Sequence, residues 1–203
     1  MESFFFPGLA ERWPAGREDY HWHVLPDIPQ ISEHLTVPYR DLTARSGLAP
    51  VAPEWCHITI WHDAPVEEIS EYALKQAADR VRARCEQLHP FVAQIRRPEV
   101  WPDAVVCPVH PGPKFRQLQT LVRGATAEFT GVRHQSGPLN YHPHMTLAYA
   151  TGQRGEGELR DWLCDHDLPE PRLRVTTLTL VKQKYGKNEI TWSVLDKIPF
   201  GSA

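Results

Sequence analysis

The sequence predicts an α+β fold of two similar lobes, each an antiparallel sheet with helices on its outer side, with a groove between the lobes. The first observation is that short, β-branched and aromatic runs form two groups, each accompanied by helical patterns. The second is that one strand pattern occurs twice: residues 55–62 read WCHITIWH, and residues 142–149 read HPHMTLAY. We therefore expect residues 1–203 to form a single domain of two lobes, with an irregular N-terminal arm at residues 1–19.

The repeated pattern is His-x-Thr followed by an apolar residue. Its copies begin at His57 and His144, which are 87 positions apart (144 − 57). Side chains at positions i and i+2 of a strand leave the same face of the sheet. His57 and Thr59 should therefore share one face, and His144 and Thr146 should share another. This spacing suggests that each lobe contributes one imidazole and one hydroxyl to a common groove.

These residue types suit phosphate chemistry. Two histidines that face each other across a groove can act as general base and general acid, because the pKa of a free imidazole is about 6.5. Two threonine hydroxyls beside them can donate hydrogen bonds to a phosphate. The alternative is that both motifs are ordinary strands, since threonine favours strands. The matched register of the two copies favours the functional interpretation.

The paired motif resembles that of the 2H phosphoesterase superfamily, which includes the bacterial 2′-5′ RNA ligase-like proteins. The resemblance implies a metal-independent phosphodiesterase that acts on 2′,3′-cyclic phosphates or 2′-5′ linkages of nucleotides or RNA ends. His57, Thr59, His144 and Thr146 would be its catalytic residues. Many family members carry an arginine just after the second motif, where this chain has Tyr149. The source of positive charge near the phosphate is therefore left open.

The other elements follow from periodicity and from turn residues. Strands are predicted at 20–25, 55–62, 91–97, 104–109, 144–150, 172–183 and 189–195. Helical segments are predicted at 29–46, interrupted by Pro38 and stopped by Gly47, at 63–88 with Asp63 as N-cap, at 113–130 and at 158–165. Residues 48–54 are expected to be a connector, and residues 131–143 a loop.

Composition limits the possible partners. The net charge is −3 and there is no basic tail, which argues against binding to long duplex nucleic acid. No run approaches the roughly 20 apolar residues of a membrane span. Four cysteines without CxxC spacing, and no evident signal peptide, indicate reduced thiols in the cytoplasm. We expect a monomer that binds a nucleotide or an RNA end and needs no cofactor.

Residues outside the motifs are candidates for binding the substrate. A nucleotide needs local positive charge and an aromatic surface. The residues that can supply these near the groove are Trp22, Arg133, Tyr141, Tyr149 and Lys182. For Trp22 the choice is between packing in the core and stacking on a base.

Three further functions are compatible with the sequence. His21 with His23, and His142 with His144, have the His-x-His spacing of metal ligands, which would fit a metal-dependent hydrolase. We expect no metal, because no carboxylate, third histidine or thiolate is spaced locally to complete either pair. The second function is that of a nucleotide sensor without catalysis, and the third is that of a partner-binding protein with a vestigial groove.

Overall fold

The computed structural model describes residues 1–5, 13–14, 16–130, 141–168, 170–186 and 188–202. In these residues the strands are β1 (Asp19–Val24), β2 (Leu48–Pro50), β3 (Ile58–Pro65), β4 (Phe91–Ile95), β5 (Glu99–Val100), β6 (Ala104–His110), β7 (His144–Ala150), β8 (Arg172–Val175), β9 (Thr177–Gly186) and β10 (Glu189–Pro199). The α-helices are α1 (Ile28–Ile31), α2 (Arg40–Thr43), α3 (Glu71–Cys85), α4 (Gly112–Thr130) and α5 (Gly157–Asp165).

The strands form two antiparallel sheets, as the sequence predicts. One sheet has four strands in the order β10-β9-β1-β3. The other has six strands, with the order β2-β7-β6-β4-β8 and with β5 paired to β6. The first His-x-Thr copy belongs to the four-stranded sheet and the second to the six-stranded sheet. The predicted α+β class, with one motif in each lobe, is confirmed.

Two long helices cover the four-stranded sheet. Helices α3 and α4 pack on each other, α4 also packs on β3, and α3 also packs on β10. Their apolar faces are buried, with Val81, Phe115 and Val122 fully inaccessible to solvent. Burial of such an apolar stripe is the main source of helix stability in a folded protein. No helix in the described part of the chain combines the length and apolarity that crossing a membrane would require.

The start of the second predicted helix is wrong by several residues. Asp63 is not an N-cap; it lies in β3 and is buried, and its carboxylate accepts a hydrogen bond of 3.3 Å from Trp22 Nε1. Strand β3 continues to Pro65 because it pairs with β1 as far as Asp19. Helix α3 begins only at Glu71, where the Ser70 hydroxyl caps it by accepting from the Ala73 N–H.

The segment at 29–46 breaks into short pieces, as Pro38 predicts. Helix α1 is followed by a π-helical turn at Ser32–Thr36 and then by α2. Gly47 ends the region with a φ of +81°, a left-handed conformation that glycine adopts without steric cost.

Two strand assignments differ from the sequence prediction because pairing with strands far away in the chain decides them. The single strand expected at 172–183 is divided at Thr176, so that β8 joins the six-stranded sheet and β9 joins the four-stranded sheet. The connector expected at 48–54 contains β2, which pairs with β7. Sequence periodicity reports which face of a strand is apolar, but it does not report which sheet the strand joins.

Candidate active site

A β-bulge follows the first threonine. His23 pairs with Thr59, whereas Trp22 pairs with Trp61, so that Ile60 is an extra residue on β3. Ile60 and Trp61 are both buried, and His62 therefore returns to the face that carries Thr59. The face contributed by β3 thus holds His62 in addition to the motif side chains.

The second motif has the same irregularity. On β7, Thr146 pairs with Val106 and Ala148 pairs with Val105, which leaves Leu147 as the extra residue. Tyr149 therefore shares a face with Thr146. His62 and Tyr149 occupy equivalent positions, each five residues after a motif histidine. The local repeat thus extends beyond His-x-Thr to include a bulge and a third groove-facing side chain.

The two motif histidines are held in the same tautomer by the same contact. His57 Nδ1 lies 2.9 Å from the carbonyl oxygen of Trp55, and His144 Nδ1 lies 2.9 Å from that of His142. A carbonyl oxygen only accepts, so Nδ1 carries the proton and donates it in both residues. In the neutral ring Nε2 is then an unprotonated acceptor. Each imidazole thus keeps Nε2 free for chemistry.

Aromatic neighbours fix the orientation of both rings. His57 stacks on the buried His23 ring with a centroid distance of 4.2 Å, and the ring of Trp192 packs against it at 4.7 Å. On the other side, Trp101 lies 4.8 Å from His144. Rings that cannot turn keep their reactive nitrogen in place, which saves entropy when a substrate reacts.

The motif side chains line one cavity of about 190 Å³ between the two sheets. Its lining consists of His57, Thr59, His144 and Thr146 together with Phe4, Trp13, His21, Tyr149, Gln183 and Ile190. The structure therefore brings together the four residues that the sequence nominates as catalytic. Among the described residues of this lining none is lysine or arginine.

The two histidines differ in their electrostatic surroundings. The pKa of His57 is lowered to about 4, chiefly by burial; the hydrogen bond to the Trp55 carbonyl opposes this shift, and a positive charge on His144 adds to it. Burial also lowers the pKa of His144 below its ordinary value, and this shift is partly opposed by the hydrogen bond to the His142 carbonyl and by the carboxylate of Asp103. The neutral imidazole is therefore favoured at His57, and the protonated one is better supported at His144.

The structure places two of the predicted substrate-binding residues away from the cavity. Trp22 is fully buried and its indole N–H is bonded to Asp63, which removes it from the cavity surface and leaves core packing as its role. The prediction for Lys182 is also corrected, because its side chain faces away from the groove and forms a 2.9 Å ion pair with Glu18. Arg133 lies outside the described residues.

Two tyrosines remain at the site. Tyr149 lines the cavity and packs against the rings of Phe4 and Phe5. Tyr141 donates a hydrogen bond of 2.7 Å from its hydroxyl to the carbonyl oxygen of Thr59. Tyr141 thus connects the segment before the second motif to the backbone of the first.

Potential metal ligands group differently from the sequence interpretation. His21, His23, His142 and His144 do not form a ligand cluster in the described part of the chain. The residues that do come together are Asp19, His21 and His62, whose ligand atoms all lie within 4.8 Å of one another. His62 was missed because, without the bulge at Ile60, strict alternation would place it in the core. Trp101 and Trp192 were missed because they come from strands far from the motifs in the sequence, Trp101 directly after β5 and Trp192 within β10.

Comparison with known proteins gives consistent results. A family model described as the 2′-5′ RNA ligase superfamily matches residues 28–187. The structure of E. coli LigT complexed with 3′-AMP is similar with a TM-score of 0.68 at 18% identity, over 91% of this chain and 98% of that one. The protein TT0787 of Thermus thermophilus gives a TM-score of 0.67 at 18% identity, over 92% and 98%. No curated protein matches the chain. At these identities the similarity to solved structures establishes the fold, and the family match confirms the resemblance inferred from the motifs.

Proposed function

The chain belongs to the 2′-5′ RNA ligase superfamily, and we propose that it is a phosphodiesterase that hydrolyses 2′,3′-cyclic phosphates or 2′-5′ linkages of nucleotides or RNA ends. The observation that carries the proposal is the matched pair of histidines. Each donates from Nδ1 to a backbone carbonyl and keeps Nε2 free, and both line the cavity that holds the two threonines. This arrangement provides two proton carriers and two hydroxyl donors for one phosphate.

The proposed reaction is an in-line displacement at phosphorus. One imidazole takes a proton from water, whose oxygen forms a bond to phosphorus. The bond from phosphorus to the departing ribose oxygen breaks, and the second imidazole gives that oxygen its proton. The hydroxyls of Thr59 and Thr146 donate to the non-bridging oxygens and stabilise the charge that develops there.

We assign the base to His57 and the acid to His144. His57 has its pKa lowered to about 4, so it is neutral near pH 7 and ready to accept a proton. His144 has Asp103 nearby, which favours its charged form, and its positive charge in turn keeps His57 neutral. A bound phosphodiester anion would raise the pKa of both rings and would help to keep His144 protonated.

The substrate class rests on the relatives and on the cavity. Structures of the similar E. coli LigT are complexed with 3′-AMP, with ATP and with phosphate. In this chain, aromatic side chains surround the histidines, including Trp101 and Trp192, and a base can stack on such surfaces. A nucleotide with a phosphodiester at its ribose therefore fits the site better than a simple alkyl phosphate.

The test is hydrolysis of the four 2′,3′-cyclic nucleotides and of a 2′-5′-linked dinucleotide by protein freed of metal with a chelator. We expect turnover that is abolished in His57→Ala and His144→Ala and kept in His89→Ala, an exposed histidine outside the cavity. Binding of these compounds without turnover would overturn the proposal in favour of a nucleotide-binding module. Activity that is lost on chelation and restored by a divalent ion would overturn it in favour of a metal-dependent hydrolase.

A further inference from the structure

A second group of polar side chains lies beside the catalytic residues but takes no part in the reaction described above. Asp19 and His21 come from β1 and His62 from β3, and the bulge at Ile60 brings them onto one face. The His62 Nε2 atom lies 2.7 Å from Asp19 Oδ2. The imidazoles of His21 and His62 are stacked with a centroid distance of 4.1 Å, and Trp13 covers both rings.

Two members of this region are buried without partners. Both ring nitrogens of His21 and the amide oxygen Oε1 of Gln183 have no hydrogen-bond partner among the described residues. His21 is 4% exposed and Gln183 is 3% exposed. Gln183 is the register partner of Asp19 on β9, so its side chain leaves the same face. Buried polar groups in folded proteins almost always have a partner, so these atoms point to a ligand at this place.

We propose that Asp19, His21 and His62 bind one divalent transition-metal ion, with zinc as the best match, and that the buried Oε1 of Gln183 supplies a fourth ligand. The two imidazole nitrogens and one carboxylate are the ligand types that zinc prefers. Ligand atoms around a tetrahedral zinc lie about 3.3 Å apart, as follows from bond lengths of about 2.0–2.1 Å. An ion bound between His62 and Asp19 would therefore replace their 2.7 Å hydrogen bond, and the two ligand atoms would move slightly apart.

The surroundings support such a site. Arg17 donates two hydrogen bonds to the Asp19 carboxylate, at 2.7 Å from Nε and 2.9 Å from Nη2, and so orients it as an outer partner of a metal ligand does. The side chain of His62 is 49% exposed, which gives an ion a path from solvent. His21 and Gln183 also line the catalytic cavity, so a bound cation would add positive charge to a wall in which none of the described residues is lysine or arginine.

The proposal does not rest on the phosphodiesterase function, because it is tested by binding alone. Protein freed of metal is titrated with Co²⁺ and followed by visible absorption, and Zn²⁺ is then added in competition. We expect one Co²⁺ per chain, with the absorption bands of a site that has nitrogen ligands, and displacement by Zn²⁺. His62→Ala should weaken binding at least about tenfold, since even an outer partner of a ligand is worth that much.

Further variants serve as controls for the Co²⁺ titration. His142→Ala removes an exposed histidine that lies outside this cluster, and it should bind Co²⁺ as the unmodified protein does. Because Asp19 is buried, the circular dichroism spectrum of Asp19→Asn is first compared with that of the unmodified protein, to show that the variant folds. The folded variant should then bind Co²⁺ more weakly. Gln183→Glu adds a charged ligand and should tighten binding. Absence of a stoichiometric Co²⁺ spectrum, or an equal spectrum in His62→Ala, would overturn the proposal.

Discussion

The hydroxyl of Tyr141 donates a 2.7 Å hydrogen bond to the carbonyl oxygen of Thr59 and so joins the segment before one motif to the backbone of the other. Thr59 belongs to the four-stranded sheet, and Tyr141 closely precedes β7 of the six-stranded sheet. The bond crosses between the lobes at the threonine that we assign to phosphate binding. It fixes the separation of the two motifs, on which in-line chemistry depends.

Tyr141→Phe removes this bond and leaves the Thr59 carbonyl without its partner. We expect a loss of about 1–2 kcal/mol in the free energy of unfolding, together with a fall in kcat, since the motifs lose part of their alignment. Urea unfolding and steady-state kinetics measure the two effects. Tyr72→Phe is the control, because Tyr72 is 74% exposed. Equal stability of Tyr141→Phe and Tyr72→Phe would show that the bond contributes nothing.

His57→Ala and His144→Ala should each lower kcat by roughly 10²–10⁴ on a cyclic nucleotide, as expected for loss of a general base or acid. The two variants should differ on a nucleotide ester of 4-nitrophenol, whose leaving group departs without a proton. His144→Ala should recover most of its lost rate on that ester, while His57→Ala should remain slow. Recovery in His57→Ala alone would reverse the assignment of acid and base.

Thr59→Val and Thr146→Val should keep the fold, because valine suits a strand, and should slow turnover by roughly 10–10³ through loss of a hydroxyl donor. Thr59→Ser and Thr146→Ser keep that donor and should lose far less. If valine and serine variants have the same rate, the threonines serve only the strand.

The pH dependence of kcat/KM should be bell-shaped with its maximum on the acid side of neutrality. His57 acts as a base only when neutral, so activity is lost as the pH falls through its pKa of about 4. His144 acts as an acid only when charged, so activity declines as the pH rises through its pKa, which lies below the ordinary value of 6.5. The maximum should therefore lie between about pH 4 and 6.5, with limbs that report the coupled pair.

The profile of kcat should lie at higher pH than that of kcat/KM. In the complex the phosphodiester anion favours both charged imidazoles, so both limbs move upward. Measuring kcat and kcat/KM across the same buffers tests this directly. Coincident profiles would mean that the phosphate does not contact the histidines.

The sequence by itself determined the candidate catalytic residues of this protein. Two copies of His-x-Thr on apolar strands fix which side chains share a face, because alternation along a strand is a local property of the backbone. The same local rules predicted the two long helices, apart from the start of α3, and the stop at Gly47. Burial of Ile58, Ile60, Met145 and Leu147 opposite the motif side chains follows from the sequence alone.

Only the tertiary structure decided what surrounds these residues. The bulges at Ile60 and Leu147 arise from pairing with neighbouring strands, and they put His62 and Tyr149 on the groove face against simple alternation. The division of the strand at Thr176, the pairing of β2 with β7, and the burial of Trp22 likewise depend on contacts between residues far apart in the chain. A periodic pattern contains no information on such contacts, because register between distant strands is set by the packing of both lobes at once.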